Sequence, residues 1–217
     1  MSLAIFDLDN TLLSGDSDYL WGQFLSEQGI VEHEEYQREN QRFYDEYRRG
    51  ALDIFEFLAF QLRPLAAHDM DTLLGWRKQF VVEKIEPIVL SKARDLIAQH
   101  RGAGRTLVII TATNSFVTEP IAQLLDVPNL IATEPELIKG RYTGRVAGVP
   151  CFREGKVVRL EEWMKSRGFN LVDSWFYSDS LNDLPLLEMV THPVAVDPDE
   201  TLAEHAGIKE WPVISLR

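Results

Sequence analysis

Four aspartates fall between positions 7 and 18 of this 217-residue chain, in "DLDNTLLSGDSD", and Asp7 directly follows a short apolar run, Leu3-Ala4-Ile5-Phe6. A carboxylate at the end of a buried run needs a partner or a cation to coordinate. Asp9, two residues on, adds a second negative charge, and like charges this close raise each other's pKa. A divalent cation would relieve both problems. Three more places carry side chains that could join this pair. The run "TLVII" at 106–110 ends in "TATN", Thr111 to Asn114. "SWFY" ends in "SDSLND", with Asp179, Asn182 and Asp183. "EGK" puts Lys156 at the start of a helix. Ligands of open parallel sheets bind at the carboxyl ends of the strands. Segments running side by side would therefore bring several carboxylates, a hydroxyl and an ammonium to one pocket.

Taken singly, each feature has a plainer reading. "DLDNTLLSGDSD" is a poor Ca²⁺ loop, because such a loop wants glycine where Leu12 stands and a flanking helix instead of a strand. Asp179 and Asp183 alone would read as a solvated helix start capped by Ser180, and "TATN" as a helix N-cap. Lys156 alone would be a surface lysine. The "GAG" at 102–104 precedes its strand and lacks a third glycine, so it is no dinucleotide fingerprint. The five histidines show no ligand spacing, and Cys151 reads as inert.

The elements that must position these groups follow from periodicity. The first strand ends at Asp7. From about residue 17 to 86 the apolar residues recur at helical spacing among many charges, punctuated by Gly29, Gly50 and Pro64, which predicts three or four helices and no strand. From Pro87 onward short apolar runs alternate with amphipathic helices: a helix at 93–100, a strand at 106–110, a helix at 115–125 and a strand at 130–132. A hairpin around "GRYTGRV", a helix at 157–167 and strands at 175–177 and 193–196 complete the series. That alternation argues for an α/β fold, a doubly wound, mostly parallel sheet covered on both faces. Residues 1–16 and 87–217 would form the α/β core, and residues 17–86 a helical insertion after its first strand.

The net charge of −12 disfavours nucleic acid and anionic membranes as partners. A site for a phosphorylated substrate would need local positive potential, which a metal ion and a placed lysine could supply. One cysteine excludes an intramolecular disulfide framework, and no apolar run reaches the roughly 18 residues of a membrane span. The expectation is a cytoplasmic protein, monomer or homodimer.

The order DxDxT, a hydrophobic run ending in Thr, then Lys, then "SDSLND" resembles the haloacid dehalogenase superfamily, and the helical insertion resembles its C1-type cap, as in the phosphoserine-phosphatase-like branch. The resemblance covers essentially the whole chain. It implies a Rossmann-like core and Mg²⁺-dependent hydrolysis of a small phosphorylated metabolite through an aspartyl phosphate. Asp7 would be the nucleophile and Asp9 the general acid, then base. Thr111 and the backbone of Ala112, Thr113 and Asn114 would hold phosphoryl oxygens, and Lys156 would neutralise phosphate and nucleophile together. Asp7, Asp179 and the carbonyl of Asp9 would ligate Mg²⁺; Asp183 would orient that shell, and Asn182 would bond to the phosphoryl group or a metal-bound water.

The branch also frames the substrate. Asp16 matches the position of an acidic residue that binds the ammonium of phosphoserine. The arginine that binds its carboxylate has Ala59 near its place here, with Arg63 about a turn later, so Asp16 and Arg63 are the expected substrate-binding residues. Burying the carboxylate of phosphoserine unpaired is costly. Histidinol phosphate is therefore the first expectation and phosphoserine the second. A dehalogenase would have no use for Asp9, and a mutase would keep the same motifs. A binding module on an inactive hydrolase fold would lack a catalytic group, and none is missing.

Overall fold

A computed structural model describes residues 2–217. The first strand, β1 (Leu3–Phe6), is buried along its whole length. Its side chains alternate between two separate cores: Ala4 and Phe6 join one, Leu3 and Ile5 the other. Burial on both faces explains why the run is continuously apolar, not alternating.

Five helices follow: α1 (Ser17–Glu27), α2 (His33–Arg48), α3 (Ile54–Gln61), α4 (Arg63–Ala67) and α5 (Met70–Phe80). A π-helical turn at Val81–Ile85 and a 3₁₀ turn at Glu86–Ile88 return the chain to the core. The outgoing and returning strands of the connection are pinned to each other. Leu13 bridges Val89, the Ser14 amide donates to the Ile88 carbonyl at 2.8 Å, and that of Leu90 to Leu12 at 3.2 Å.

The chain then runs through α6 (Ser91–Gly102), β2 (Thr106–Asn114), α7 (Ser115–Leu124), β3 (Asn129–Thr133), β4 (Pro135–Ile138), β5 (Arg141–Val146) and α8 (Glu154–Arg167). It closes with β6 (Trp175–Ser178), α9 (Leu184–Leu187), β7 (His192–Val196), α10 (Glu200–Lys209) and β8 (Val213–Ile214). Six strands form one parallel sheet in the order β3-β2-β1-β6-β7-β8, with β1 near its centre. This is the doubly wound α/β fold expected from the alternation, with a helical cap inserted after the first strand.

Three features go beyond the sequence pattern. β2 runs four residues past Ile110, and its register against β3 shifts between Ile110 and Asn114. Such an irregularity re-aims side chains at a strand end. The β4–β5 hairpin packs against α3 and α4 and so props the cap from the core side. α10 and β8 form the sheet edge from a segment with few buried residues, Leu202 and Ala206 in the helix. Among the described residues no helix is long and apolar enough to cross a membrane.

Candidate active site

β1 hands the chain to Asp7, whose amide still donates to the Tyr177 carbonyl of β6 at 2.9 Å, so the carboxylate projects from a fixed backbone. Lys156 arrives from the first turn of α8 and is almost fully buried, 1% exposed. Its Nζ donates to Asp7 Oδ1 at 2.7 Å and meets both oxygens of Asp183 at 2.7 and 2.8 Å. Ser178, the last residue of β6, donates to Asp183 Oδ2 at 2.6 Å. Gly155 permits this delivery, because a Cβ there would collide with the Pro150 carbonyl oxygen.

Asp9 is held by different groups. Its Oδ1 accepts the Ser17 amide at 2.6 Å, and its Oδ2 accepts the hydroxyls of Thr113 at 2.9 Å and Thr111 at 3.4 Å. Thr111 and Thr113 share one face of β2, two residues apart, which is why both reach the same carboxylate. Asp179 has Thr11 as its side-chain donor, at 3.1 Å.

The electrostatics are unbalanced. Burial lowers and the Asp183 and Asp7 carboxylates raise the Lys156 pKa; the net shift is upward, so the ammonium stays protonated. Burial also pushes Asp7 up to about 7 despite that contact, with Asp183 and Asp9 adding to it, and pushes Asp9 up to about 6. Asp179 rises well above the carboxylate range through burial and the neighbouring Asp7 and Asp183. Beyond burial, a single ammonium is shared among several carboxylates, so it is over-supplied with anions while they are under-supplied with cations.

That excess fits a divalent cation beside Asp7 and Asp179. Among the described residues no group of three or more His, Cys, Asp or Glu side chains is arranged to hold a metal by itself. Two carboxylates and a backbone carbonyl, completed by waters and phosphate, are the kind of set Mg²⁺ accepts.

Above this floor the cap covers a cleft of about 520 Å³, part of it open to solvent. Asp7, Asp9, Thr111, Ala112 and Thr113 line it from the sheet, and Asp16 and Asp18 from the start of α1. Asn40, Phe43, Tyr44 and Tyr47 of α2 and Phe57 and Gln61 of α3 line it from the cap. Asp16 also caps α1, accepting the Tyr19 amide at 2.8 Å.

Most of the expected site residues meet here. Asp7, Asp9, Thr111, Lys156, Asp179 and Asp183 surround one floor, with Ala112, Thr113 and Asp16 on the cleft wall. Asn114 takes another part: it caps α7 through Val117 and donates to Asp18 Oδ1 at 3.4 Å. Asn182 is not free to bond to a phosphoryl group. Its Oδ1 accepts Arg153 Nε at 3.0 Å, and its Nδ2 donates to the Tyr47 carbonyl at 3.1 Å and Ser180 Oγ at 3.2 Å.

Arg63 lies outside the cleft. It is exposed, sits over the Phe60 ring at 5.0 Å and lines a separate concavity with Tyr36 and Pro64. Leu62 keeps a helical backbone between α3 and α4, its amide bonded to the Leu58 carbonyl at 3.0 Å, so Arg63 follows Ala59 by four residues on the outer face while Phe57 and Gln61 face the cleft. Ala59 is exposed as well.

The sequence reading missed several contributors. Thr11 and Ser178 orient Asp179 and Asp183, and each is a hydroxyl within five residues of a motif aspartate. Asp18 closes the aspartate-rich stretch but had no role assigned to it, and Tyr47 gave no local signal. Arg153 adopts φ +50°, uncommon for a side chain-bearing residue, and donates to the Gly50 carbonyl of the cap as well as to Asn182.

Comparison with known proteins identifies the family and the fold. The family model of haloacid dehalogenase-like hydrolases matches residues 4–188. A histidinol-phosphatase of Neisseria meningitidis serogroup C is 43% identical over 220 residues, covering 100% of this chain and 99% of that protein. A Bordetella pertussis protein of unknown function is 46% identical with a TM-score of 0.94, covering 100% of this chain and 99% of that one. A substrate-bound phosphoserine phosphatase shares the fold at a TM-score of 0.73 and 17% identity, covering 100% of this chain and 93% of that one.

Proposed function

The chain belongs to the haloacid dehalogenase-like hydrolase family, and from that premise we propose that it is a Mg²⁺-dependent phosphatase of a small amino-bearing phosphate ester, histidinol phosphate first. The observation that carries the substrate reading is the cleft lining. It holds Asp7, Asp9, Asp16 and Asp18 and, among its described residues, no Lys, Arg or His. A substrate carboxylate would be buried there without a cation, at a cost of several kcal/mol. A substrate ammonium would meet Asp16.

Asp7 attacks phosphorus, the ester P–O bond breaks, and Asp9 gives its proton to the leaving oxygen. In the second step a water passes a proton to Asp9 and attacks the aspartyl phosphate. Inorganic phosphate leaves and the Asp7 carboxylate is restored. Asp9, pushed up to about 6 by burial, can hold that proton near neutrality and still release it. Ser17 and Thr113 fix its direction, and Lys156 favours the ionised form of Asp7 against the pull of burial and offsets the phosphoryl charge. Mg²⁺, held by Asp7, Asp179 and the Asp9 carbonyl, would neutralise phosphoryl oxygens when bound.

Phosphate release from histidinol phosphate and phosphoserine, with Mg²⁺ or with EDTA, tests the reading. The expectation is a kcat/KM at least about tenfold higher for histidinol phosphate, abolished by EDTA. The reverse preference would refute the substrate, and activity surviving EDTA would refute the metal.

A further inference from the structure

The reaction above uses Asp7, Asp9 and Asp16 and leaves Asp18 without a task. Asp18 lies in the first turn of α1, lines the cleft and is only 5% exposed. Among the described residues its carboxylate has one hydrogen-bond donor, Asn114 Nδ2 at 3.4 Å, and no cation. The neighbouring amides point their donors elsewhere. Gln61 Nε2 reaches the Asp18 carbonyl and Asn40 Oδ1, while Asn40 Nδ2 reaches the Tyr19 carbonyl. Burial, with Asp16 and Asp9 close by, raises the Asp18 pKa well above the carboxylate range. An acid in a first turn complements the helix dipole, but an exposed one does so without desolvation. The same cleft is lined by the apolar rings of Phe43 and Phe57. A buried carboxylate lacking a counter-charge beside aromatic walls suits a ring that bears N–H donors or positive charge.

We propose that Asp18 is a specificity-determining residue that accepts a second N–H-bearing, protonatable group of the substrate, at the end remote from the phosphate, while Asp16 takes the nearer ammonium. The inference rests on the phosphatase reading and narrows it to phosphate monoesters with two basic groups.

Three esters separate the possibilities when assayed with Mg²⁺ on the wild type and Asp18→Asn: histidinol phosphate, phosphoethanolamine and para-nitrophenyl phosphate. The variant should lose about 30- to 100-fold in kcat/KM on histidinol phosphate, chiefly through KM, and stay within about twofold on the other two. Equal losses on all three, or no loss on the first, overturn the assignment. A second measurement needs no variant. Histidinol should inhibit para-nitrophenyl phosphate turnover by the wild type at about a tenth of the concentration of phenylalaninol, which has the same amine and a ring without N–H. Equal inhibition overturns the assignment too. A wild type that hydrolyses none of the three esters removes the phosphatase reading, and the assignment with it.

Discussion

On the sheet side of the cleft, side chains that would do chemistry are tied to fixed neighbours. Lys156 is locked between Asp7 and Asp183, Asp9 between Ser17 and Thr113, and Asp179 against Thr11. On the cap side the cleft is lined by packed rings, Phe43 against Phe57 at 5.4 Å, and by Asp18, which no cation among the described residues meets. The contrast separates two jobs. Strand ends set groups to within hydrogen-bonding tolerance, as a reaction common to all phosphate esters requires. Helix faces supply shape and unsatisfied polarity, which discriminate between esters.

The strongest way to break that division is a sheet-side substitution whose effect depends on the ester. Asp179→Asn removes a carboxylate expected to hold the metal. It should lower kcat by roughly 100-fold or more on histidinol phosphate and para-nitrophenyl phosphate alike. Among the described residues Asp179 has no cation in contact, and it lies near Asp7 and Asp183, so the amide also relieves buried repulsion. In EDTA the variant should therefore melt higher than wild type, by about 2–4 °C for each kcal/mol relieved. A large loss on one ester alone, or a lower melting temperature in EDTA, would contradict the scheme.

The same contrast explains what could be read from the sequence. Asp7, Asp9, Thr111, Lys156 and Asp179 were legible because each stands at the end of an apolar run or the start of a helix, and a parallel sheet gathers such ends on one edge. The cap gave no comparable rule. Whether a residue faces the cleft depends on helical phase, where one residue is about 100° of rotation. Arg63 was expected inside because the resemblance set it about a turn after Ala59, but one turn keeps it on the same outer face as Ala59, while Phe57 and Gln61 of α3 line the cleft. Asp18 was counted with the other aspartates of its stretch, but no spacing rule set it in the cleft. α10 and β8 went unread because the helix buries only Leu202 and Ala206 and the strand has two residues.

A subtler test concerns the seam between the two regions. Arg153 donates to the Gly50 carbonyl at the end of the cap's long helix and to Asn182 on the core, and Asn182 in turn holds the Tyr47 carbonyl. Gly50 has φ +65°, and an added Cβ would stand 3.0 Å from Leu181 Cδ1, so the turn is shaped to be held there. Arg153→Met should loosen the cap without touching the reacting groups. The expected result is a KM raised about tenfold on every ester, with kcat changed by less than about threefold. A kcat collapse at unchanged KM would instead place Arg153 among the sheet-side groups.

The smallest effect lies beneath the sheet, where His100 packs on Phe6 and Trp175 and its Nε2 meets the Tyr177 hydroxyl at 2.8 Å. Arg105 faces Nδ1 at 3.3 Å and can only donate, so Nδ1 accepts and Nε2 carries the proton to Tyr177. Burial, with Arg105 adding to it, lowers the His100 pKa to about 4 from 6.5. Between those values the unfolded chain binds the extra proton, so His100 removes stability as pH falls from 6.5 to 4 and costs nothing above. The acid cluster acts in the opposite sense. With Asp7 pushed up to about 7 and Asp9 to about 6, the folded state without metal binds more protons than the unfolded chain, and acidification favours it. In EDTA the two trends oppose each other, but several raised carboxylates outweigh one lowered histidine, so the wild-type melting temperature should still rise as the pH falls across this window. His100→Gln keeps a donor for Tyr177 but does not titrate, which leaves the cluster's trend alone. Its melting temperature, measured in EDTA relative to wild type, should therefore climb by a few degrees from pH 6.5 down to pH 4. A constant difference across that range would mean that His100 is charged or uncharged equally in both states.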